Sequence, residues 1–150
     1  MIQPVNFSFN TETAVNNAFQ VQGQDDNAQQ KALQEFENFV SVLKEREIDI
    51  TVIKDTASPF TPDSIFPNNW ISFHGNTICL YPMYAPNRRE ERKPELIKAL
   101  KERYSITKVV DLTPYEKQHK FLEGTGSMVL DRVKNIAYAC LSPRTDETVL

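Results

Sequence analysis

Two carboxylates sit in loops at a spacing that invites a chemical reading. Asp63 stands in Pro62-Asp63-Ser64-Ile65-Phe66-Pro67-Asn68-Asn69-Trp70, and Glu123 stands 60 residues later in Phe121-Leu122-Glu123-Gly124-Thr125-Gly126-Ser127. A carboxylate offers two oxygens that match two parallel N–H donors, so each residue can hold a planar array of such donors. Each also has a plainer reading: an Asx turn after Pro62 for Asp63, and a solvated loop acid for Glu123. Arg144, in Pro143-Arg144-Thr145, carries a guanidinium able to clamp a ligand carboxylate bidentately, or stands solvated near a helix start. Arg88 and Arg89 adjoin a strongly charged stretch and are weaker candidates. Asn68 and Asn69 can donate and accept hydrogen bonds to a ligand, whereas Trp70 suits a core.

Nucleophiles are scarcer. The chain has two cysteines, Cys79 in Ile78-Cys79-Leu80 and Cys140 in Ala139-Cys140-Leu141. Both are expected on strands among apolar residues, where a thiol is an inert core group with no nearby base to lower its pKa. Neither a disulfide framework nor a CxxC metal spacing exists. His74 ends an expected strand beside Gly75, and His119 lies in Lys117-Gln118-His119-Lys120. No metal or organic cofactor is implied.

The elements that must position these side chains follow from periodicity. Residues 2–9 read as a strand, and 10–26 as a polar loop. Leu33, Phe36, Val40 and Leu43 recur at steps of three and four, which predicts an amphipathic helix over 27–46. Residues 48–53 alternate apolar and polar, as a strand does. A loop with Pro59, Pro62 and Pro67 leads to strands at 70–73 and 77–81, joined as a hairpin around Gly75-Asn76. A helix is predicted over 89–104, with Pro94 in its first turn or marking its start. The order then recurs: a strand at Val109-Val110, a loop over 121–127, and a hairpin of 128–130 with 136–141. A third helix is expected to begin in 142–147, capped by Thr145 or Asp146.

Besides the 60 residues between the acids, Thr77 and Ile136 are 59 apart, and Arg88 and Arg144 are 56 apart. A period of roughly 55–60 residues predicts repeated strand–hairpin–helix units whose faces are covered by neighbours. The chain stops about one turn into the third helix, and so short a helix is unstable alone. The expectation is therefore a truncated, N-terminal part of one domain spanning 1–150, with self-assembly or a complementing chain covering its open edge.

Composition fits a single globular domain. Of the 150 residues, 40% are hydrophobic and 25% charged, enough to bury a core. A net charge of −3 does not favour nucleic acid. No apolar run approaches the roughly 18 residues of a membrane span, and Met1-Ile2-Gln3-Pro4-Val5-Asn6 lacks the marks of a signal peptide. A cytoplasmic location is expected.

The motifs resemble those of the amidinotransferase and arginine deiminase superfamily, the α/β propellers called penteins. Pro62-Asp63-Ser64-Ile65-Phe66 is similar to the substrate-binding loop of its dimethylarginine hydrolase branch. Leu122-Glu123-Gly124 is similar to the motif carrying a catalytic carboxylate. Arg88-Arg89-Glu90 and Pro143-Arg144-Thr145 resemble the arginine motifs after the first two hairpins. Gln3-Pro4-Val5-Asn6-Phe7, the run from Thr13 to Gln20, Phe66-Pro67-Asn68-Asn69-Trp70 and Glu123-Gly124-Thr125-Gly126-Ser127 look most like bacterial citrulline utilisation hydrolases.

This resemblance implies a propeller of repeated units, here an incomplete ring. It also implies a hydrolase in which a cysteine thiolate attacks the ureido or guanidino carbon of an amino acid, with a histidine moving protons. Glu123 would be catalytic, and Asp63, Asn68, Asn69, Arg89 and Arg144 would bind substrate. In a propeller, equivalent loops point to one axis, so the offset of the two acids would bring them to one pocket. The nucleophile and histidine of the family lie in its later half and have no match here, so the chain alone is expected to be inactive. Asn68 and Asn69 replace a second acid pair, and Gly126 replaces an aspartate. Fewer acids compensate a full guanidinium charge less well, which points to citrulline over arginine. Arginine deiminase or amidinotransferase activity, a non-catalytic binding protein of the same fold and a pseudoenzyme are the alternatives.

Overall fold

A computed structural model of the chain describes residues 1–17, 20–23 and 27–150. Positions 18–19 and 24–26 of the stretch read as loop over 10–26, the former also part of the run from Thr13 to Gln20, lie outside the described residues. Two compact units are present, Met1–Pro67 and Asn68–Leu150.

In the first unit, β1 (Ile2–Gln3) is followed by a short helix, α1 (Thr11–Ala14), and a long one, α2 (Ala28–Glu45), before β2 (Ile53–Lys54). β1 and β2 pair in parallel, Ile2 with Ile53 and Gln3 with Lys54. Parallel pairing needs a crossover, and α2 lies on it. Its apolar spacing is realised: Phe36 is buried, and Leu33, Val40 and Leu43 are half-buried. Both strands are far shorter than the alternation suggested. Pro4 has no N–H to continue a ladder, so β1 stops there. The residues after it are tied instead by side chains: Gln29 Nε2 donates to Pro4 O at 2.9 Å, and Asn6 Nδ2 donates to Ala57 O at 2.9 Å. Ile48 and Val52, read as inward-facing strand residues, are exposed.

The second unit opens with Trp70, which is only 1% exposed. β3 (Ile71–His74) and β4 (Thr77–Leu80) form the expected antiparallel hairpin, turning at Gly75 with φ +58°. The single helix predicted over 89–104 is two: α3 (Pro86–Arg89) and α4 (Pro94–Arg103). Lys93 is extended at φ −62°, ψ 129°, as a residue before proline must be, and this separates them. β5 (Lys108–Asp111) returns parallel to β4. Trp70, Ile71, Ile78, Leu80, Met83 and Ile106 pack as one core, flanked by Leu96, Ile97 and Leu100 of α4.

The segment expected to be loop at 121–127 contains one helical turn, α5 (Gly124–Ser127). It enters a second hairpin of β6 (Met128–Asp131) and β7 (Ile136–Ala139), with Met128 opposite Ala139. A second core joins Tyr81, Leu122, Met128 and Val149. The expected third helix is a 3-10 turn, Glu147–Val149; Asp146 caps it by accepting from Thr148 N at 2.8 Å.

The hairpins thus recur, but the described strands form three separate small sheets that do not join into a closed ring. The α/β class holds, and the propeller remains an expectation. Cys79 is half-buried on β4, and burial raises its thiol pKa above the ordinary value. Cys140 corrects the sequence reading: it lies just past the end of β7 and is exposed, like Tyr138 on the strand and Leu141 after it, so no core covers it. No helix among the described residues is long and apolar enough to cross a membrane.

Candidate active site

Glu123 is 2% exposed, deeper than a solvated loop acid would be. Two tertiary ties bring its loop into place: Leu122 N donates to Pro82 O at 3.0 Å, and Asp146 N donates to Phe121 O at 2.8 Å. Glu123 caps α5, and its carbonyl accepts from Gly126 N at 2.8 Å and Ser127 N at 3.1 Å. Its carboxylate accepts from Tyr84 N at 3.2 Å through Oε1 and from Arg144 Nη1 at 3.3 Å through Oε2. A buried carboxylate must be compensated in this way.

The glycines of the motif have a steric cause. Gly124 has φ +43°, and a Cβ there would lie 2.4 Å from Asn68 O. At Gly126 a Cβ would lie 2.1 Å from Asn69 Nδ2. The Asn68-Asn69 turn therefore lies directly against the loop of Glu123, and at Gly124, where the contact is backbone, only glycine permits that approach. Asn68 Nδ2 also donates to Thr125 Oγ1 at 3.1 Å, and Thr125 Oγ1 donates to Asn68 O at 3.3 Å. Both asparagines are thus placed as braces of the Glu123 loop. Gly126, read above as a missing acid, is the space that the Asn69 side chain occupies.

Arg144 is held at its backbone, Ser142 Oγ accepting from its N at 3.1 Å and Ser127 Oγ donating to its O at 3.2 Å. Its guanidinium meets Glu123 rather than solvent. Arg89 is engaged elsewhere: Nε donates to Met83 O at 2.9 Å and Nη2 to Tyr84 O at 3.0 Å, with the guanidinium 5.7 Å from the Phe121 ring centroid. It fixes the strand end whose Tyr84 N–H serves Glu123. Glu116 works on the same segment, accepting from Met83 N at 2.8 Å and pairing with Arg92 at 2.8 Å. Sequence reading missed Glu116 and Arg92. They carry no motif of their own, and only the fold assembles them.

Asp63 belongs to the first unit. Oδ2 accepts from Asn10 Nδ2 at 2.7 Å and from Thr13 Oγ1 at 3.2 Å. Asn10 and Thr13 are each 1% exposed, and Asn10 also caps α1 through Glu12 N at 3.1 Å. The run from Thr13 to Gln20 thus has a local task, because it carries a donor that orients Asp63. Asp63 O also accepts from Phe66 N at 3.0 Å, closing the turn expected after Pro62. Of the two thiols, Cys79 shares a hydrogen bond with Tyr81. Among the described residues, no cluster of three His, Cys, Asp or Glu side chains is arranged to hold a metal ion.

Residues 3–150 match the sequence model of the family described as N,N dimethylarginine dimethylhydrolase, eukaryotic, and the chain belongs to that family, within the pentein superfamily. Among solved structures, the chain is similar to ArgZ, an arginine dihydrolase of the ornithine-ammonia cycle in cyanobacteria, with TM-score 0.71 and 22% identity over 99% of this chain and 21% of that one. The N-terminal domain of ArgZ bound to substrate gives 0.70 and 20%, over 99% of this chain and 50% of the domain. AgrE in complex with ornithine and NAD+ gives 0.70 and 19%, over 99% and 20%. At these identities the likeness is one of fold. The chain spans half the length of the ArgZ domain and about a fifth of the complete ArgZ and AgrE chains. No curated protein matches the chain.

Proposed function

We propose that this chain supplies the substrate-gripping carboxylates of a hydrolase that acts on the ureido carbon of citrulline through a covalent cysteine adduct. The observation that carries the reading is Glu123. It is a buried carboxylate, fixed by Tyr84 N–H, whose other oxygen already accepts from a guanidinium. A group so placed matches planar N–H donors and can hold the carbon between them in position for attack. In this reading Glu123 is catalytic and Asp63, oriented by Asn10 and Thr13, binds substrate N–H groups. Arg144 receives the α-carboxylate, while Asn68, Asn69 and Arg89 hold the loops. The thiolate attacks the ureido carbon, ammonia or the amine leaves with a proton from a histidine, and water releases the adduct. Thiolate and histidine come from outside these 150 residues, and the protein works in the cytoplasm on a small amino acid.

Citrulline is preferred because Asn68 and Asn69 stand where the resemblance puts an acid pair that would compensate a full cation. Arginine is the second reading, favoured by the description of ArgZ as an arginine dihydrolase. Ornithine release from citrulline and from arginine, measured on the protein with its catalytic half, decides between them. The expected result is faster release from citrulline, with none from the 150-residue chain alone. Faster release from arginine overturns the citrulline assignment, and turnover by the chain alone overturns the assignment of the nucleophile to the missing half.

A further inference from the structure

Two carboxylates accept from consecutive amides of one strand end, and only one of them belongs to a sequence motif. Met83 N donates to Glu116 Oε1 at 2.8 Å, and Tyr84 N donates to Glu123 Oε1 at 3.2 Å. Glu116 lies on a 3-10 turn, Thr113–Gln118, that follows β5. The turn is tied to the end of β4: Leu112 N donates to Leu80 O at 2.9 Å, and Thr113 N donates to Asp111 Oδ1 at 2.9 Å. Two arginines converge on the same carboxylate. Arg92 Nη2 reaches it at 2.8 Å, and Arg89 Nε stands 3.7 Å away. Each also donates to the strand end, Arg92 Nη1 to Tyr81 O at 3.2 Å, Arg89 Nε to Met83 O at 2.9 Å and Arg89 Nη2 to Tyr84 O at 3.0 Å.

The Glu116 side chain is 12% exposed and that of Arg92 11%. Charges desolvated together add little stability over apolar packing of the same volume. What sets this cluster apart is the backbone it holds. Groups of Tyr81, Met83 and Tyr84 all end on Glu116 or on an arginine that Glu116 gathers. Peptide planes are rigid and meet at the Met83 Cα, so fixing the Met83 amide restricts the direction of the Tyr84 amide.

Building on the reading that Glu123 grips the substrate head group, we infer that Glu116 is a positioning residue for Glu123, acting through the Met83 and Tyr84 amides. Glu116 fixes the Met83 N–H, and the next N–H is thereby aimed at Glu123 Oε1. The Glu123 carboxylate then keeps one orientation for a ligand to meet. A carboxylate left to rotate would lose its two-point match to planar N–H donors and the placement of the carbon between them. Arg89 and Arg92 serve the same end, compensating Glu116 while they hold the carbonyls on either side of the Met83 amide.

Hydrogen exchange at the Tyr84 amide and the 13C resonance of the Glu123 carboxyl are measured on the 150-residue chain as wild type, Glu116→Met and Glu116→Gln. Methionine removes the acceptor, and Tyr84 should exchange roughly five- to tenfold faster, the equivalent of one hydrogen bond, with the Glu123 resonance displaced. Glutamine returns an acceptor to Met83 N and should restore both toward wild type. The amides of β4 are the control and should keep their exchange rates, since a core loosened as a whole would accelerate them equally. Unchanged Tyr84 exchange in Glu116→Met, equal acceleration across β4, or a glutamine variant no better than methionine overturns the inference. Titration with citrulline and arginine adds the functional arm. Glu116→Met should bind whichever of them wild type binds about tenfold more weakly, and equal affinity also overturns the inference. If wild type binds neither, the reading of Glu123 as the grip falls, while Tyr84 exchange still decides whether Glu116 positions that carboxylate. Should Glu116→Met fail to fold, Glu116→Met/Arg92→Met, which removes both charges at similar volume, takes its place with the same readouts.

Discussion

Replacing Glu123 with glutamine lowers the melting temperature of the chain by roughly 10 °C, although the substitution changes almost no volume. The amide oxygen can still accept from Tyr84 N–H. What disappears is the negative charge facing Arg144, whose side chain is only 16% exposed. Breaking a buried pair by removing one partner costs about 3 kcal/mol, and each kcal/mol moves Tm by about 2–4 °C in a chain of this size. Calorimetry on Glu123→Gln and on the double variant Glu123→Gln/Arg144→Met checks the cause. The second change should recover most of the loss, because it removes the cation that faced Glu123. If the double variant is no more stable than the single one, the pair is not the source. In any active enzyme that contains this chain, Glu123→Gln should also lower turnover on the order of a hundred- to a thousandfold, as the loss of one fixed charge-stabilising group does.

The second large effect separates two glycines two residues apart. Gly124→Ala should destabilise the second unit by about 3 kcal/mol, combining left-handed strain with a clash against backbone. The added Cβ would meet Asn68 O at 2.4 Å and Asn69 O at 2.9 Å, and neither can rotate away. Gly126→Ala meets the tip of the Asn69 side chain, which can turn aside. Its position within α5 also gains helix propensity, so the net change should stay within about 1 kcal/mol. Urea denaturation of both variants reads the difference. Equal effects would mean that the Asn68-Asn69 turn does not bear on the Glu123 loop as described.

How much of this was legible beforehand depended on whether a feature is local. The apolar spacing of Leu33, Phe36, Val40 and Leu43 announced α2, and Gly75-Asn76 announced the first hairpin, because both patterns are written in neighbouring residues. Pro94 marked the start of α4, but the break after Arg89 needed the extended Lys93 to be seen. β1 and β2 were overestimated because alternation does not reveal that a partner ends; Pro4 ends this one. The helical turn at Gly124–Ser127 was invisible, since two glycines in four residues argue against helix. It is imposed by the packing of the loop against Asn68 and Asn69. Among site residues, Asp63 and Glu123 were found by motif. Of their supports, Asn10 and Tyr84 carry no local signal, while Thr13 and Ser127 stood within quoted motifs without a role. Asn68 and Asn69, expected to touch ligand, lie against the Glu123 loop, and Arg144 meets Glu123. A sequence names the charged groups but not which of them have already met.

The account rests on Glu123 receiving the head group of an amino-acid ligand. Its most direct test is the carboxyl resonance of Glu123 in the 150-residue chain, labelled with 13C at the glutamate side-chain carboxyl and assigned through Glu123→Gln. Titration with citrulline should shift that resonance saturably, with the resonances of Glu91 and Glu116 unmoved, because those two carboxylates are already engaged by Arg88 and Arg92. Saturable binding of citrulline that leaves Glu123 unshifted, or no binding of citrulline or arginine at all, would contradict the assignment.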